Sequence, residues 1–373
     1  MRIMLSGGGT GGHIYPAVTI AKTLCDIARP EAILFVGTRA GLEADLVPRE
    51  GYPLEVIDVA GFERRLSWYN VRNLFRTAGS LFSARQIIGK FKPDLVIGTG
   101  GYVCGPVLLA ASLMGIPTLI QEQNVIPGIT NRILSRFVKA VAVGYQEAQT
   151  YFPAAAKIIV TGNPIRPDIM SARREEGLAL LGLKPDRTTL LIAGGSRGAR
   201  SINHAMAEVH KRFSSNDAIQ ILHITGQSEY NSIVGNYQQQ GIDVSNSGNI
   251  IIKPYLHEMP HALAAADLAV FRAGAIGLAE LTARGIPSIL IPYPYAAENH
   301  QEHNARALEQ GGAAIVIRDS DLTGGTLADT IQQVITEKDR LIKMAAASRS
   351  LGRPEAARSI AQTALSLLEN KNK

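Results

Sequence analysis

The sequence predicts an α/β protein built as two doubly wound parallel-sheet lobes of Rossmann-like type, and three observations carry that expectation. Short runs rich in Val, Ile and Leu alternate with longer stretches of helical periodicity. Strands covered by helices on both faces read in this way, apolar throughout rather than alternating. The alternation is interrupted by the turn formers of Gly162-Asn163-Pro164-Ile165-Arg166-Pro167 and then restarts. The chain of 373 residues, 46% hydrophobic and 19% charged, exceeds the ~150 residues of an average domain and fills two cores, which excludes a largely disordered chain.

In the first half the strand candidates are residues 3–6, 32–37, 54–59, 95–98, 118–121, 140–143 and 158–161. In the second they are 190–193, 221–225, 250–253, 268–271, 288–291 and 314–317, each followed by a helical stretch. The halves open alike: Ile3-Met4-Leu5-Ser6-Gly7-Gly8-Gly9 and Leu190-Leu191-Ile192-Ala193-Gly194-Gly195-Ser196 each run a strand into a glycine turn before a helix. Near the end, Ala356, Ile360, Ala364, Leu367 and Leu368 form a helical apolar stripe that needs a surface to dock on. The expected organisation is a first lobe over residues 1–163, a second over 164–350, and a C-terminal helix over 351–373 returning to the first lobe.

Two cysteines, Cys25 and Cys104, make neither a disulfide framework nor a four-thiolate zinc site, in keeping with a reducing, cytosolic compartment. No signal-peptide pattern opens the chain, and no stretch approaches the ~18–20 unbroken apolar residues of a bilayer-spanning helix. The formal net charge of +6 asks for an acidic partner. It is concentrated in seven basic residues, Arg64, Arg65, Arg72, Arg76, Arg85, Lys90 and Lys92, with no acidic residue between them. Apolar side chains interleave, the only tryptophan among them. Trp68, Arg72, Phe75, Arg76, Phe82 and Arg85 therefore read as docking residues for an anionic bilayer, where each cation near the surface contributes ~1 kcal/mol. A core helix with solvated cations has the same pattern. No RNA- or DNA-binding motif accompanies the charge, so nucleic acid is not an expected partner.

Ser6-Gly7-Gly8-Gly9-Thr10-Gly11-Gly12-His13 contains G-x-G-x-x-G between a strand and a helix, a context in which backbone amides meet a phosphate or another anion. A tight turn with close helix packing uses glycines equally well. A dinucleotide site adds an acidic residue at the end of the second strand. Gly37-Thr38-Arg39 stands there instead, and Arg39 suits the extra phosphate of NADP, so an NADP-dependent reductase is the alternative reading. Three more glycine-rich turns follow strands, at residues 98–102, 194–200 and 272–277. Because ligands of open α/β sheets sit beyond the carboxyl ends of the strands, four such turns on two sheets imply a nucleotide cleft between lobes. Ser196 offers it a hydroxyl, the helix beginning near Ala275 offers unpaired amides, and Glu280 one turn later offers acceptors for two ribose hydroxyls. The amides and imidazoles of residues 292–304 suit sugar hydroxyls, and the polar run Gln121-Glu122-Gln123-Asn124 is expected to line the cleft.

Two strings mislead. His257-Glu258-Met259-Pro260-His261 spells H-E-x-x-H, but Pro260 belongs in a first helical turn, which leaves His257 outside the helix and the pair unable to share a zinc. Asp319-Ser320-Asp321 resembles a metal-binding acidic pair, yet its place between a strand and a helix suits capping.

Six motifs occur in order over nearly the whole length: Gly8-Gly9-Thr10-Gly11-Gly12-His13, Gly100-Gly101-Tyr102-Val103-Cys104-Gly105-Pro106, Glu122-Gln123-Asn124, Gly162-Asn163-Pro164-Ile165-Arg166, Gly194-Gly195-Ser196-Arg197-Gly198-Ala199-Arg200 and His300-Gln301-Glu302-His303-Asn304-Ala305. On these the chain resembles the bacterial peptidoglycan glycosyltransferases that add N-acetylglucosamine to undecaprenyl-pyrophosphate-linked muramyl pentapeptide, converting lipid I to lipid II. The resemblance implies the two-lobed GT-B fold, UDP-N-acetylglucosamine as donor held mainly by the second lobe, lipid I as acceptor, no metal or other cofactor, and inverting transfer at the cytoplasmic face of the cell membrane. By motif position it implies donor contacts at Thr10, Gly11, Gly12, Asn124, Arg166, Ser196, Leu256, Ala275, Ile276, Gly277, Leu278, Ala279, Glu280 and Gln301. Two positions depart from the family pattern: Cys104 stands where serine is frequent, and Gly277 where threonine is frequent, which removes a hydroxyl near the phosphates.

Inverting transfer needs a base for the acceptor hydroxyl and stabilisation for the departing UDP. His13 follows the first glycine turn and is the candidate base, imidazole being the side chain that titrates near neutrality. A histidine that orients the acceptor or caps backbone groups has the same sequence signature. Leaving-group charge falls to the helix start near Ala275. A non-catalytic nucleotide-sensing protein docked on a membrane shares all these features and would bind donor without turnover.

Overall fold

The apolar runs form strands wherever helices cover both of their faces. The structure, a computed structural model, describes residues 1–59, 68–195, 198–241 and 248–369, with the side chains of residues 68–78 outside that description. Two compact units result, Met1–Ile165 with Glu355–Lys373, and Arg166–Pro354. The divisions fall after Ile165 and Pro354, where the sequence placed them after residues 163 and 350.

The first unit runs β1 (Arg2–Gly7), α1 (Gly11–Ala28), β2 (Ala32–Gly37), α2 (Glu43–Arg49), β3 (Leu54–Val56), α3 (Trp68–Phe91), β4 (Leu95–Gly100), α4 (Cys104–Leu113), β5 (Thr118–Glu122), α5 (Ile129–Leu134), β6 (Ala140–Val143) and β7 (Ile158–Val160). Its seven strands are parallel in the order β3-β2-β1-β4-β5-β6-β7. Alternate residues of β1 serve opposite faces. Ile3 and Leu5 pack with Ile14, Ile20 and Leu24 of α1, while Met4 packs with Ile88 of α3 and Leu108 of α4.

The second unit runs α6 (Pro167–Ser171), α7 (Arg174–Leu181), β8 (Thr188–Ala193), α8 (Arg200–Phe213), β9 (Ile219–Ile224), α9 (Tyr230–Gln239), β10 (Ile250–Lys253), α10 (Met259–Ala265), β11 (Leu268–Phe271), α11 (Ala275–Arg284), β12 (Ser288–Leu290), α12 (His300–Gln310), β13 (Ala314–Val316), α13 (Gly324–Thr336) and α14 (Lys338–Leu351). Its six parallel strands lie in the order β10-β9-β8-β11-β12-β13. The last helix, α15 (Ala356–Glu369), brings Ile360, Ala361, Ala364 and Leu367 into the core of the first unit beside α1.

The segment read as a linker is not a loose one: Gly162, Asn163, Pro164 and Ile165 are all buried. Asn163 Nδ2 donates to the Gln123 carbonyl at 2.9 Å, and its Oδ1 accepts from Gln121 Nε2 at 3.0 Å.

One buried polar cluster in the second unit was invisible in the sequence. Asn203 Nδ2 donates to the Thr225 carbonyl, which leaves Asn203 Oδ1 as acceptor for His223 Nε2 at 3.0 Å. His223 Nδ1 therefore accepts from His210 Nε2 at 3.1 Å, and His210 Nδ1 lies buried without a partner. Burial holds His210 well below the ordinary histidine range, with His223 adding to the effect, and burial holds His223 at about 3. Histidines of the unfolded chain protonate near pH ~6.5, so below that the unfolded state binds more protons than the folded one. Stability contributed by the neutral pair is present above that pH and is lost as pH falls from there toward 3. Thermal unfolding should therefore shift to lower temperature between pH 7 and pH 5, and His223→Gln should flatten that dependence. An identical slope in the variant would remove the pair from the account.

Candidate active site

Each sheet has a point where successive crossovers depart in opposite directions, between β1 and β4 in one unit and between β8 and β11 in the other. Ligands of open α/β sheets bind beyond the carboxyl ends of strands at such a point. The four glycine-rich turns leave these four strands. Each unit thus presents a pair of such turns at its own switch point.

In the first unit the turn after β1 is held by a carboxylate that sequence reasoning missed. Glu43, fully buried at the start of α2, accepts from the Gly9 amide at 2.9 Å through Oε2. Through Oε1 it accepts from the Thr38 amide at 2.9 Å and the Thr38 hydroxyl at 2.7 Å. Burial works to raise its pKa, but the Thr38 hydroxyl and the surrounding amides outweigh burial and hold the carboxyl below its ordinary value. The only sequence signal was an acidic residue set among Gly37 and Gly41, where a Cβ would strike the Glu43 side chain at 2.5 Å and 2.0 Å respectively. The arrangement counts against the NADP reading. The Gly9 amide that a pyrophosphate would use is already bonded, and a fixed negative charge beside it repels phosphate.

His13, half-buried in the first turn of α1, places Nδ1 3.1 Å from the Gly8 carbonyl and 3.5 Å from the Thr10 hydroxyl. A carbonyl only accepts, so Nδ1 carries a proton, and in the neutral ring that leaves the lone pair on Nε2. Room for the ring comes from Gly100, at φ 113°, where a Cβ would lie 2.9 Å from His13 Nε2. Thr99 Oγ1 donates to the His13 carbonyl at 2.7 Å, joining β4 to α1. Cys104 does the work of a hydroxyl here. Its buried thiol, with one proton to donate, lies 2.9 Å from the carbonyls of both Ser6 and Gly100 and accepts from the Gly100 amide at 3.2 Å, and burial pushes it up to about 11.

The polar run that straddles the end of β5, expected to line a cleft, is mostly buried. Gln121, Glu122 and Gln123 are buried. Gln123 Nε2 donates to the Thr99 carbonyl at 2.6 Å, and Glu122 Oε2 accepts from the Gly128 amide at 3.1 Å and Asn131 Nδ2 at 2.8 Å. These side chains satisfy backbone groups where strands end, which is the packing purpose the sequence did not disclose. Asn124 is half-buried, its amide bonded to Glu122 Oε1 at 2.9 Å.

In the second unit α11 starts after Gly274, whose extended backbone supplies no side-chain cap, so its first amides lack intrahelical partners. Ala275 and Leu278 are buried while Ile276, Gly277, Ala279 and Glu280 are half-buried. Leu278 faces the core and its amide is bonded to the Gly274 carbonyl at 3.0 Å, so it is a packing residue. A Cβ on Gly277 would meet only Phe271, at 3.9 Å, so packing does not demand the glycine. Glu280, its side chain 13% exposed, lies 3.5 Å from Arg166 Nε. Burial pushes its carboxyl up to about 7, with Arg166 pulling the other way.

Gln301, near the start of α12, accepts from the Tyr293 amide at 2.9 Å and holds the preceding turn. Leu256 is buried just before α10. Ser196 lies outside the described residues. So do the side chains of Trp68, Arg72, Phe75 and Arg76, although their backbone is helical in α3. Further along that helix Ser80, Ala84 and Ile88 are buried, whereas Phe82 is 63% exposed and Arg85 is exposed.

His257 precedes α10, which begins at Met259 with Pro260 in its first turn. Among the described residues no group of three His, Cys, Asp or Glu side chains is placed to hold a metal ion. The capping role read for Asp319 and Asp321 belongs instead to Thr323, which forms a capping box with Thr326. Asp319 pairs with Arg272 at 2.6 Å and accepts from Ser201 at 2.6 Å, bracing the turn that follows β11.

The chain matches the models of the glycosyltransferase family 28 N-terminal domain over residues 3–143 and C-terminal domain over residues 189–363. It is 52% identical over 356 residues, 95% of this chain and 96% of the relative, to the UDP-N-acetylglucosamine--N-acetylmuramyl-(pentapeptide) pyrophosphoryl-undecaprenol N-acetylglucosamine transferase of Desulforamulus reducens. To the protein of the same name from Halothermothrix orenii it is 47% identical over the full length of both chains. The crystal structure of Acinetobacter baumannii MurG superposes with a TM-score of 0.79 at 28% identity, covering 98% of this chain and 99% of that one. Both units have the parallel-sheet architecture of GT-B enzymes, both family-28 domains are present, and with near-full-length relatives at this identity the chain belongs to the family of UDP-N-acetylglucosamine--N-acetylmuramyl-(pentapeptide) pyrophosphoryl-undecaprenol N-acetylglucosamine transferases.

Proposed function

We propose that this chain transfers N-acetylglucosamine from UDP-N-acetylglucosamine to the muramyl sugar of lipid I, giving lipid II for peptidoglycan synthesis. The observation that carries this is the similarity, over 95% of the chain, to a relative of that name.

The chemistry assigns roles to the residues described. His13 Nε2 takes the proton of the acceptor hydroxyl as its oxygen attacks the anomeric carbon. The bond from that carbon to the pyrophosphate breaks, the electron pair leaves with UDP, and attack from the opposite face inverts the anomeric centre. The open amides of Ala275, Ile276 and Gly277, at the positive end of the α11 dipole, receive the phosphate charge. Glu280 accepts from the ribose hydroxyls and is itself oriented by Arg166. Thr10, Gly11, Gly12, Asn124, Ser196, Leu256, Ala279 and Gln301 complete the donor contacts. Purified protein given labelled UDP-N-acetylglucosamine and lipid I should form labelled lipid II with release of UDP and the opposite anomeric configuration. Donor binding without product would support the nucleotide-sensing reading instead.

A lipid-linked acceptor together with a nucleotide-sugar donor supports a reaction at the cytoplasmic membrane face; no helix among the described residues is long and apolar enough to cross a bilayer. Exposed Phe82 beside exposed Arg85 on α3 supports peripheral docking. Phe82→Glu combined with Arg85→Glu should lower co-sedimentation with anionic vesicles about tenfold or more, at ~1 kcal/mol per cation plus the lost apolar contact, while turnover of a soluble acceptor analogue persists. Equal sedimentation of variant and parent would place docking elsewhere.

A further inference from the structure

Glu43 and His13 do not touch, yet one peptide unit joins them. The amide of the Gly8–Gly9 peptide, the N–H of Gly9, donates to Glu43 Oε2 at 2.9 Å. The carbonyl of the same peptide, that of Gly8, accepts from His13 Nδ1 at 3.1 Å. A carboxylate drawing on one end of a peptide raises electron density at the other, because hydrogen bonds in series polarise one another. The turn is shaped for this contact: a Cβ on Gly8 would lie 2.5 Å from Glu43 Oε1.

We propose that Glu43 is the positioning residue for His13, acting through the Gly8–Gly9 peptide to hold the Nδ1–H tautomer and to stabilise the imidazolium formed when Nε2 takes the acceptor's proton. The role corresponds to that of the carboxylate behind a catalytic histidine in hydrolases, with a peptide unit interposed. It rests on the reading of His13 as the base. The proton count closes: the acceptor proton moves to Nε2, Nδ1 keeps its own, Glu43 stays ionised throughout, and the imidazolium returns its proton to solvent after UDP leaves. Among the described ionisable side chains on β1, β2, β4, α1, α2 and α4, those reaching this turn besides His13 are Glu43, Cys104 and Tyr15, whose ring lies against Gly11; the Cys104 thiol, pushed up to about 11, stays neutral. Further along α1 and α2, Lys22 pairs with Glu50 at 2.6 Å and Arg49 with Asp45 at 3.0 Å, while Asp26 lies near the far end of α1.

Two measurements test the relay. In the unmodified protein labelled with 15N-histidine, the ring nitrogen shifts of His13 should report a proton fixed on Nδ1 at pH 8; a proton on Nε2 overturns the proposal without reference to turnover. In Glu43→Gln the loss of negative charge disfavours the imidazolium, so the acid limb of kcat/KM should move down by about one pH unit and the plateau kcat should fall about tenfold, with donor KM little changed. A Glu43 that only braces the fold would lower the melting temperature and leave the acid limb in place, which also overturns the proposal. Activity retained in His13→Ala would instead remove the base assignment, an outcome distinct from either.

Discussion

His13→Ala is expected to lower kcat by about a thousandfold, within the 10²–10⁴ that a positioned general base contributes, while donor KM changes by less than about threefold. The separation of the two constants is the informative part. His13 Nδ1 is committed to the Gly8 carbonyl, so Nε2 is the nitrogen left to meet the acceptor, and its loss should be felt where the acceptor proton moves. Because a Cβ on Gly100 would lie within 3 Å of the ring, removing the imidazole opens a space that added imidazole fits. Partial recovery of kcat by imidazole, saturable and absent from the parent enzyme, should follow. A variant retaining more than a tenth of parental kcat without imidazole would assign proton transfer to another group and leave His13 an orienting residue.

Glu280→Gln should have the second large effect, and in two opposite directions. A carboxylate accepting from two hydroxyls contributes roughly 1.5–3 kcal/mol per charge-assisted bond, so donor affinity should fall about tenfold to a hundredfold. Stability should rise. Burial raises the Glu280 carboxyl to about 7, so the folded state binds more protons than the unfolded state from an unfolded value near ~4.5 up to that pH. The contribution of this group to stability is therefore most favourable below that window and declines as pH rises through it. At pH 8 the folded protein carries a desolvated charge that glutamine does not. A gain of ~2–4 °C in melting temperature at pH 8, shrinking toward pH 5, is expected alongside the weaker donor binding. In the parent enzyme donor KM should rise as pH falls below about 7, because the acid form loses an acceptor. Should the variant be less stable at pH 8, or bind donor as the parent does, Glu280 is a structural partner of Arg166 and not the ribose ligand. A variant that is more stable and binds donor less well would instead make Glu280 an instance of a site held ready at the expense of the free protein's stability.

Much of the fold was legible because parallel strands covered on both faces are apolar at most positions. That is why residues 32–37, 140–143, 250–253 and 268–271 could be bounded from the sequence as they stand in β2, β6, β10 and β11. The apolar stripe of α15 was readable for a similar reason, its period matching one helical face. Polar residues were less readable. Gln121 and Gln123 looked available for a ligand and are instead spent on strand ends, bonded to Asn163 and to the Thr99 carbonyl. Asp319 looked like a cap and pairs with Arg272, 47 residues away in sequence.

The sequence by itself determined that the chain forms two parallel-sheet units with glycine turns after several of their strands, because apolar periodicity and turn chemistry are local properties; that those strands flank the switch points came from the sheet order. The sequence also marked His13 and Glu280 by their place beside those turns, and the family resemblance marked Arg166. Only the tertiary structure decided which of them are tuned and by what. Glu43 reaches the Gly9 amide across 34 residues, and Glu280 owes its raised pKa to the burial that packing imposes. Desolvation and hydrogen-bond partnership are made by segments distant in the chain, and no local pattern encodes them.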